Sequence, residues 1–89
     1  MTDHVLTLNA GSSSLKIGLF TAEAEPAVRA AGAVERIGGE AALTLEDGAG
    51  ATLGTRDLGA AGADHAGALD AALAMLREHF PEADRKSVV

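Results

Sequence analysis

The chain has no cysteine, no tryptophan and no tyrosine, and only two phenylalanines and two prolines. The missing cysteine excludes a disulfide framework, a thiolate metal centre and a cysteine nucleophile. It fits a reducing compartment, so the cytoplasm is the expected location. The shortage of aromatics leaves the core to Leu, Ile, Val, Phe20 and Phe80, because the many alanines each bury little area. A chain of 89 residues makes one small domain at most. At this size it buries about 60–65% of its unfolded surface, which is a marginal core. More chain is expected to complete it.

Positive charge is scarce as well. Seven Lys and Arg are scattered against thirteen Asp and Glu, for a net charge of −6. A nucleic-acid surface needs clustered cations, so no such partner is expected. There is no basic amphipathic helix to bind a membrane surface. The opening Met1-Thr2-Asp3-His4 has no basic region, and the apolar run from Val5 is short and broken by Asn9. Neither a signal peptide nor a transmembrane helix is expected. The overall field is the wrong sign for attracting anions, so any anion site must be built locally.

What is present reads as strands followed by a helix. Residues 5–9 suit a buried strand, Ala10-Gly11-Ser12-Ser13 a turn, and residues 14–21 a second strand in which Leu15, Ile17 and Leu19 alternate with Lys16, Gly18 and Phe20. Gly18 leaves room for a ligand or another backbone. Glu23-Ala24-Glu25-Pro26 is a turn, and residues 27–36 suit a third strand closed by Gly38-Gly39. Ala42–Glu46 and Ala51–Leu53 flank an Asp47-Gly48 hairpin signal. Residues 56–63 read as a loop. Asp64 is a good N-cap for a helix over about 65–80, ended by Pro81. Leu69, Leu73, Leu76 and Phe80 form its apolar stripe. Glu82 to Val89 has too little pattern to assign. The fold class is α/β with an α+β-like character: a partial β-meander and one helix.

The run Asn9-Ala10-Gly11-Ser12-Ser13-Ser14-Leu15-Lys16 carries the chemistry. One reading is a plain β-turn, with Gly11 supplying a permissive φ and the serines satisfying stray backbone groups. The other is a phosphate loop. Asn9 offers a carbonyl oxygen to a hydrated Mg²⁺ or an amide donor to phosphate. Ser12 and Ser14 offer hydroxyls, Lys16 a compact positive charge, and Gly11 a close backbone approach. No Walker A sequence occurs, and the glycines at 48, 50 and 54 do not have dinucleotide-fingerprint spacing. His4, His65 and His79 show no ligand spacing, so surface or capping roles are expected. Glu35-Arg36 reads as a solvated strand end.

The segment Leu6 to Lys16 resembles the N-terminal signature of the acetokinase family, which includes acetate kinases and their propionate and butyrate relatives. Weaker similarity runs through Gly32-Ala33-Val34-Glu35-Arg36-Ile37-Gly38 and Asp64-His65, up to about Phe80. The resemblance implies the start of an actin-like or Hsc70-like acetate and sugar kinase domain. It implies transfer of the γ-phosphoryl of ATP to acetate, giving acetyl phosphate and ADP, with Mg²⁺. Asn9 then matches the residue assigned to Mg²⁺. Lys16 matches the ATP-binding lysine, and Ser12 and Ser14 match serines of the phosphate loop beside Gly11. The full-length family enzyme is expected to be a homodimer acting on the small molecules ATP and acetate.

Two departures stand beside this. The family's substrate-binding arginines, catalytic Asp, His and distal Glu are not among these residues, so no catalytic residue is assigned. The ending Arg85-Lys86-Ser87-Val88-Val89 stands where the family enters a Gly-His-Arg segment. Residues 1–80 are therefore expected to be the N-terminal part of the first acetokinase domain, and 81–89 an atypical tail from truncation or a foreign end. Such a piece is expected to be inactive alone. The competing readings are a non-catalytic phosphate or nucleotide module and a structural α/β piece.

Overall fold

Alternating apolar and polar residues give strands whose two faces differ in chemistry, and that difference organises the whole chain. The computed structural model describes residues 4–25, 27–81 and 86–88. Strand β1 is His4–Ala10, β2 is Leu15–Thr21, β3 is Val28–Glu35, β4 is Ala42–Asp47 and β5 is Thr52–Asp57. A 3₁₀ turn over Gly59–Gly62 leads to helix α1, His65–His79. A short strand β6, Lys86–Val88, follows. The sheet order is β5-β4-β3-β2-β1-β6. The first five strands form an antiparallel meander, and β6 joins the far edge parallel to β1.

The expected meander is thus present, with one addition. The stretch with too little pattern to assign contributes β6 through residues 86–88, while residues 82–85 and 89 lie outside those described. A three-residue strand has no period to read. It exists because the exposed edge of β1 offers unpaired N–H and C=O groups. β5 is also longer than expected and takes up Arg56 and Asp57 from the stretch read as loop.

One sheet face packs on α1. Register places Leu6 opposite Leu19, Leu15 opposite Val34, and Val34 opposite Leu43, so these side chains project to the same side. Leu6, Leu19, Leu43 and Leu45 are each at most 1% exposed. Burying each stabilises the fold by about 1.5–3 kcal/mol relative to an exposed leucine.

The helix starts where expected: the Asp64 carboxylate accepts the Gly67 N–H at 2.8 Å. Its buried line differs from the leucine stripe. Ala68, Ala72, Met75 and Leu76 are buried, whereas Leu69, Leu73 and Phe80 are only partly so. Short alanine side chains let the helix axis approach the sheet closely, and the larger leucines flank the contact. Apolar periodicity finds the helix but weights large residues over small ones.

The β4–β5 connection is wider than a two-residue hairpin. Asp47 holds it by accepting the amides of Ala49 and Ala51, both at 2.9 Å, while Gly50 takes φ 88°. Arg36, after β3, sits at φ 59° and turns the chain into the β3–β4 loop. It is more than a solvated strand end, since its Nε also donates to the Glu40 carbonyl at 3.2 Å.

Among the described residues, no helix is long and apolar enough to cross a membrane.

Candidate functional site

The sheet face away from α1 is lined by small and polar residues around Asn9 and Lys16, with Val5 and Phe20 on the same face farther along the β1–β2 pair. Cross-strand register sets Asn9 beside Lys16, Lys16 beside Ala33, and Ala33 beside Thr44 in one row. The next row runs Thr7, Gly18, Ala31, Glu46. These residues, with Glu35, line an open groove of about 550 Å³. The groove exists because Gly18, Ala31 and Ala33 carry almost no side chain. A Cβ on Gly18 would come within 2.8 Å of both the Phe20 ring and the Thr7 hydroxyl. Glycine there keeps the groove open, as its place between alternating residues suggests.

Asn9 and Lys16 therefore meet as paired neighbours on one face at the groove. Gly11, Ser12 and Ser14 do not line it. They form the bend at the end of the β1–β2 hairpin, and Gly11 to Ser13 are exposed. Ser14 folds back over Gly11: its Oγ lies 2.6 Å from where a Gly11 Cβ would stand. Any larger residue at position 11 would displace that hydroxyl.

The bend is held by its carbonyls. The Gly11 carbonyl meets His65 Nε2 at 2.7 Å. A carbonyl oxygen only accepts, so Nε2 is the protonated ring nitrogen. The Ser13 carbonyl accepts the Ile37 amide at 2.9 Å, and the Ser14 carbonyl accepts the Gly11 amide at 2.9 Å. The amides of Ser12, Ser13 and Ser14 donate to no partner among the described residues. Unpartnered amides on a bend whose carbonyls at 11, 13 and 14 are held are the ingredients of an anion-binding site. The Gly11–Ser14 bond runs from the Gly11 amide to the Ser14 carbonyl, opposite in sense to the i carbonyl to i+3 amide bond of a β-turn, and Gly11 does not take the positive φ expected of it, so the plain β-turn reading accounts neither for this bond nor for the two braces from distant segments.

Those braces are what sequence reasoning missed. His65 lies 54 residues from Gly11, and Asp64-His65 was legible only as a helix start. Ile37 belongs to the β3–β4 turn, which is itself pinned by the Gly38 amide on the Gly62 carbonyl at 2.8 Å. His79 is exposed near the end of α1, as expected of a surface histidine. His4 is not a surface residue: it is 1% exposed, and neither ring nitrogen has a partner among the described residues. Its strand position faces the core side, like Leu6 and Leu8.

The residues present were weighed as a metal site. Among the described residues no cluster of three or more His, Asp or Glu could hold an ion. Asn9 offers one neutral oxygen, with Glu35 and Glu46 elsewhere along the groove. This donor set suits a Mg²⁺ that arrives on phosphate oxygens and keeps its waters, not a resident ion.

The model of the acetokinase family matches residues 4–89, nearly the whole chain and including β6. The chain belongs to the acetokinase family. Among the described residues, its antiparallel sheet and one α-helix agree with the N-terminal part of an acetokinase domain, and membership makes it a chain of a phosphotransferase family. No curated protein and no solved structure matches it. Within this chain, the conspicuous motif of residues 9–16 coincides with the braced hairpin bend and the start of the groove.

Proposed function

We propose that residues 9–16 hold the polyphosphate tail of ATP–Mg²⁺, and that this chain forms the nucleotide-phosphate wall of an ATP:acetate phosphotransferase. The observation that carries the reading is the bend itself. Its carbonyls at 11, 13 and 14 are occupied, while the amides of residues 12–14 have no described partner. Peptide groups so arranged present partial positive charge without reorganising when an anion arrives.

Each residue then has a role. The Ser12–Ser14 amides and the Ser12 and Ser14 hydroxyls donate to phosphate oxygens. Gly11 lets the backbone come close. Lys16 supplies a full charge where the overall field of the chain is negative. The Asn9 side-chain oxygen is the donor to nucleotide-borne Mg²⁺, which when bound supplies charge neutralisation. Phosphoryl transfer depends on positioning and charge compensation, and these groups contribute both. In the family reaction an acetate oxygen attacks the γ-phosphorus, a P–O bond forms, and the bond to the β-bridging oxygen breaks with its electrons leaving on ADP. No residue here is assigned to the acetate side. Acetate, propionate and butyrate are equal candidates, and a homodimer in the cytoplasm is the proposed setting of the complete enzyme.

The test is calorimetric titration of the 89-residue chain with ATP–Mg²⁺, beside Asn9→Ala. Saturable binding that Asn9→Ala weakens with Mg²⁺, but not with ATP in chelator, supports the reading. Absence of binding by the folded wild-type chain overturns it. Acetyl phosphate is expected to stay at the buffer level, and its production above that level would refute the claim that catalytic groups are missing. Binding without turnover is also what a non-catalytic nucleotide module would give. A solvent-filled groove that binds nothing would leave a purely structural piece.

A further inference from the structure

We propose that His65 is a positioning residue of the phosphate loop: by holding the Gly11 carbonyl it aims the Ser12 amide at the bound phosphate. This rests on the reading of residues 9–16 as a polyphosphate site.

The argument starts from peptide geometry. A planar trans peptide points its C=O and its N–H in opposite directions. The described peptides here are trans. The Gly11 carbonyl and the Ser12 amide belong to one such unit, so whatever grips the carbonyl sets the direction of the amide. His65 Nε2 grips it at 2.7 Å, a short bond for a nitrogen donor. The same logic couples the Ser13 carbonyl, held by the Ile37 amide at 2.9 Å, to the Ser14 amide. The bend therefore has two clamps behind it. One is backbone and survives substitution; the other is a side chain.

The side-chain clamp is itself well anchored. His65 is the first residue of α1 and follows the Asp64 cap, whose carboxylate holds the Gly67 amide at 2.8 Å. Ala68 and Ala72 seat the same helix on the sheet at 0% and 1% exposure. The imidazole is half-buried and leans from a fixed platform onto an exposed bend. Gly11 has no side chain to set its own orientation, and an exposed four-residue turn samples several peptide orientations when unclamped. An anion would then select a minor orientation of the Ser12 amide, and its apparent affinity would fall by the fraction populated. His65 removes that loss without touching the ligand.

The test uses the 89-residue chain and sodium tripolyphosphate, followed by amide NMR. In the wild type the Ser12 and Ser14 amide resonances shift on titration. In His65→Leu the Ser14 shift persists, the Ser12 shift is largely lost, and affinity falls about three- to tenfold, near the net worth of one hydrogen bond. His65→Gln keeps a side-chain N–H donor and restores part of both, and it also serves if the leucine variant does not fold. A structural role alone would weaken both amides together and lower the melting temperature. Unchanged affinity and an unchanged Ser12 shift in His65→Leu would overturn the inference. If Lys16→Ala weakens binding while His65→Leu leaves it intact, the loop reading stands and this inference falls. If the wild type binds no tripolyphosphate, both fall.

Discussion

Removing the Lys16 charge tests the loop where its magnitude can be worked out. Lys16 is exposed and lies beside Asn9 and Ala33 at the groove. A unit charge about 4 Å from a phosphate charge is worth about 1 kcal/mol in bulk water and about 4 kcal/mol at an effective dielectric of about 20. An exposed side chain over an open groove belongs near the watery limit, and Glu35 and Glu46 along the same groove offset part of the attraction. The expected loss for Lys16→Ala is therefore about 1–2 kcal/mol, or roughly five- to thirtyfold in affinity. Because the interaction is exposed, salt should shrink it. The screening length falls from about 30 Å at 0.01 M salt to about 3 Å at 1 M. Calorimetric titration with tripolyphosphate at low and high salt reads both quantities, and Lys16→Gln separates charge from bulk. The reasoning is refuted if Lys16→Ala binds as tightly as wild type at low salt, or if its deficit is the same at both salt levels.

Other perturbations address the platform beneath the loop. Ala72→Leu should destabilise by about 1–3 kcal/mol through overpacking, read as a lower urea midpoint. If the leucine stripe were the true contact line, this change on its flank would be neutral. Asp64→Ala should cost about 1 kcal/mol by freeing the Gly67 amide, lowering the melting temperature by about 4–8 °C for a domain of this size. Leu45→Ala, at 1% exposure, should cost about 2–5 kcal/mol, and unchanged thermal stability would argue against the packing described. His4→Leu should be neutral or stabilising, because it replaces a buried ring whose nitrogens lack described partners. A clear loss of stability would show that the ring is hydrogen-bonded after all.

The sequence by itself determined whatever local bonding decides. Period-two alternation announced the strands, Asp64 announced the helix start, and small residues between two apolar runs announced the β1–β2 bend. The resemblance then attached chemistry to Asn9, Gly11, Ser12, Ser14 and Lys16. Tertiary structure decided what depends on groups distant along the chain. It chose Ala68, Ala72, Met75 and Leu76, with Leu69 and Leu73 at the flanks, as the line where α1 meets the sheet, because small side chains let the helix axis come close. It gave Lys86–Val88 a strand partner in the open edge of β1. It brought His65 and Ile37 to the bend, where they hold the Gly11 and Ser13 carbonyls while the amides of Ser12 to Ser14 have no described partner. No periodicity encodes such contacts, since they arise only when separate elements stack and bring their ends together.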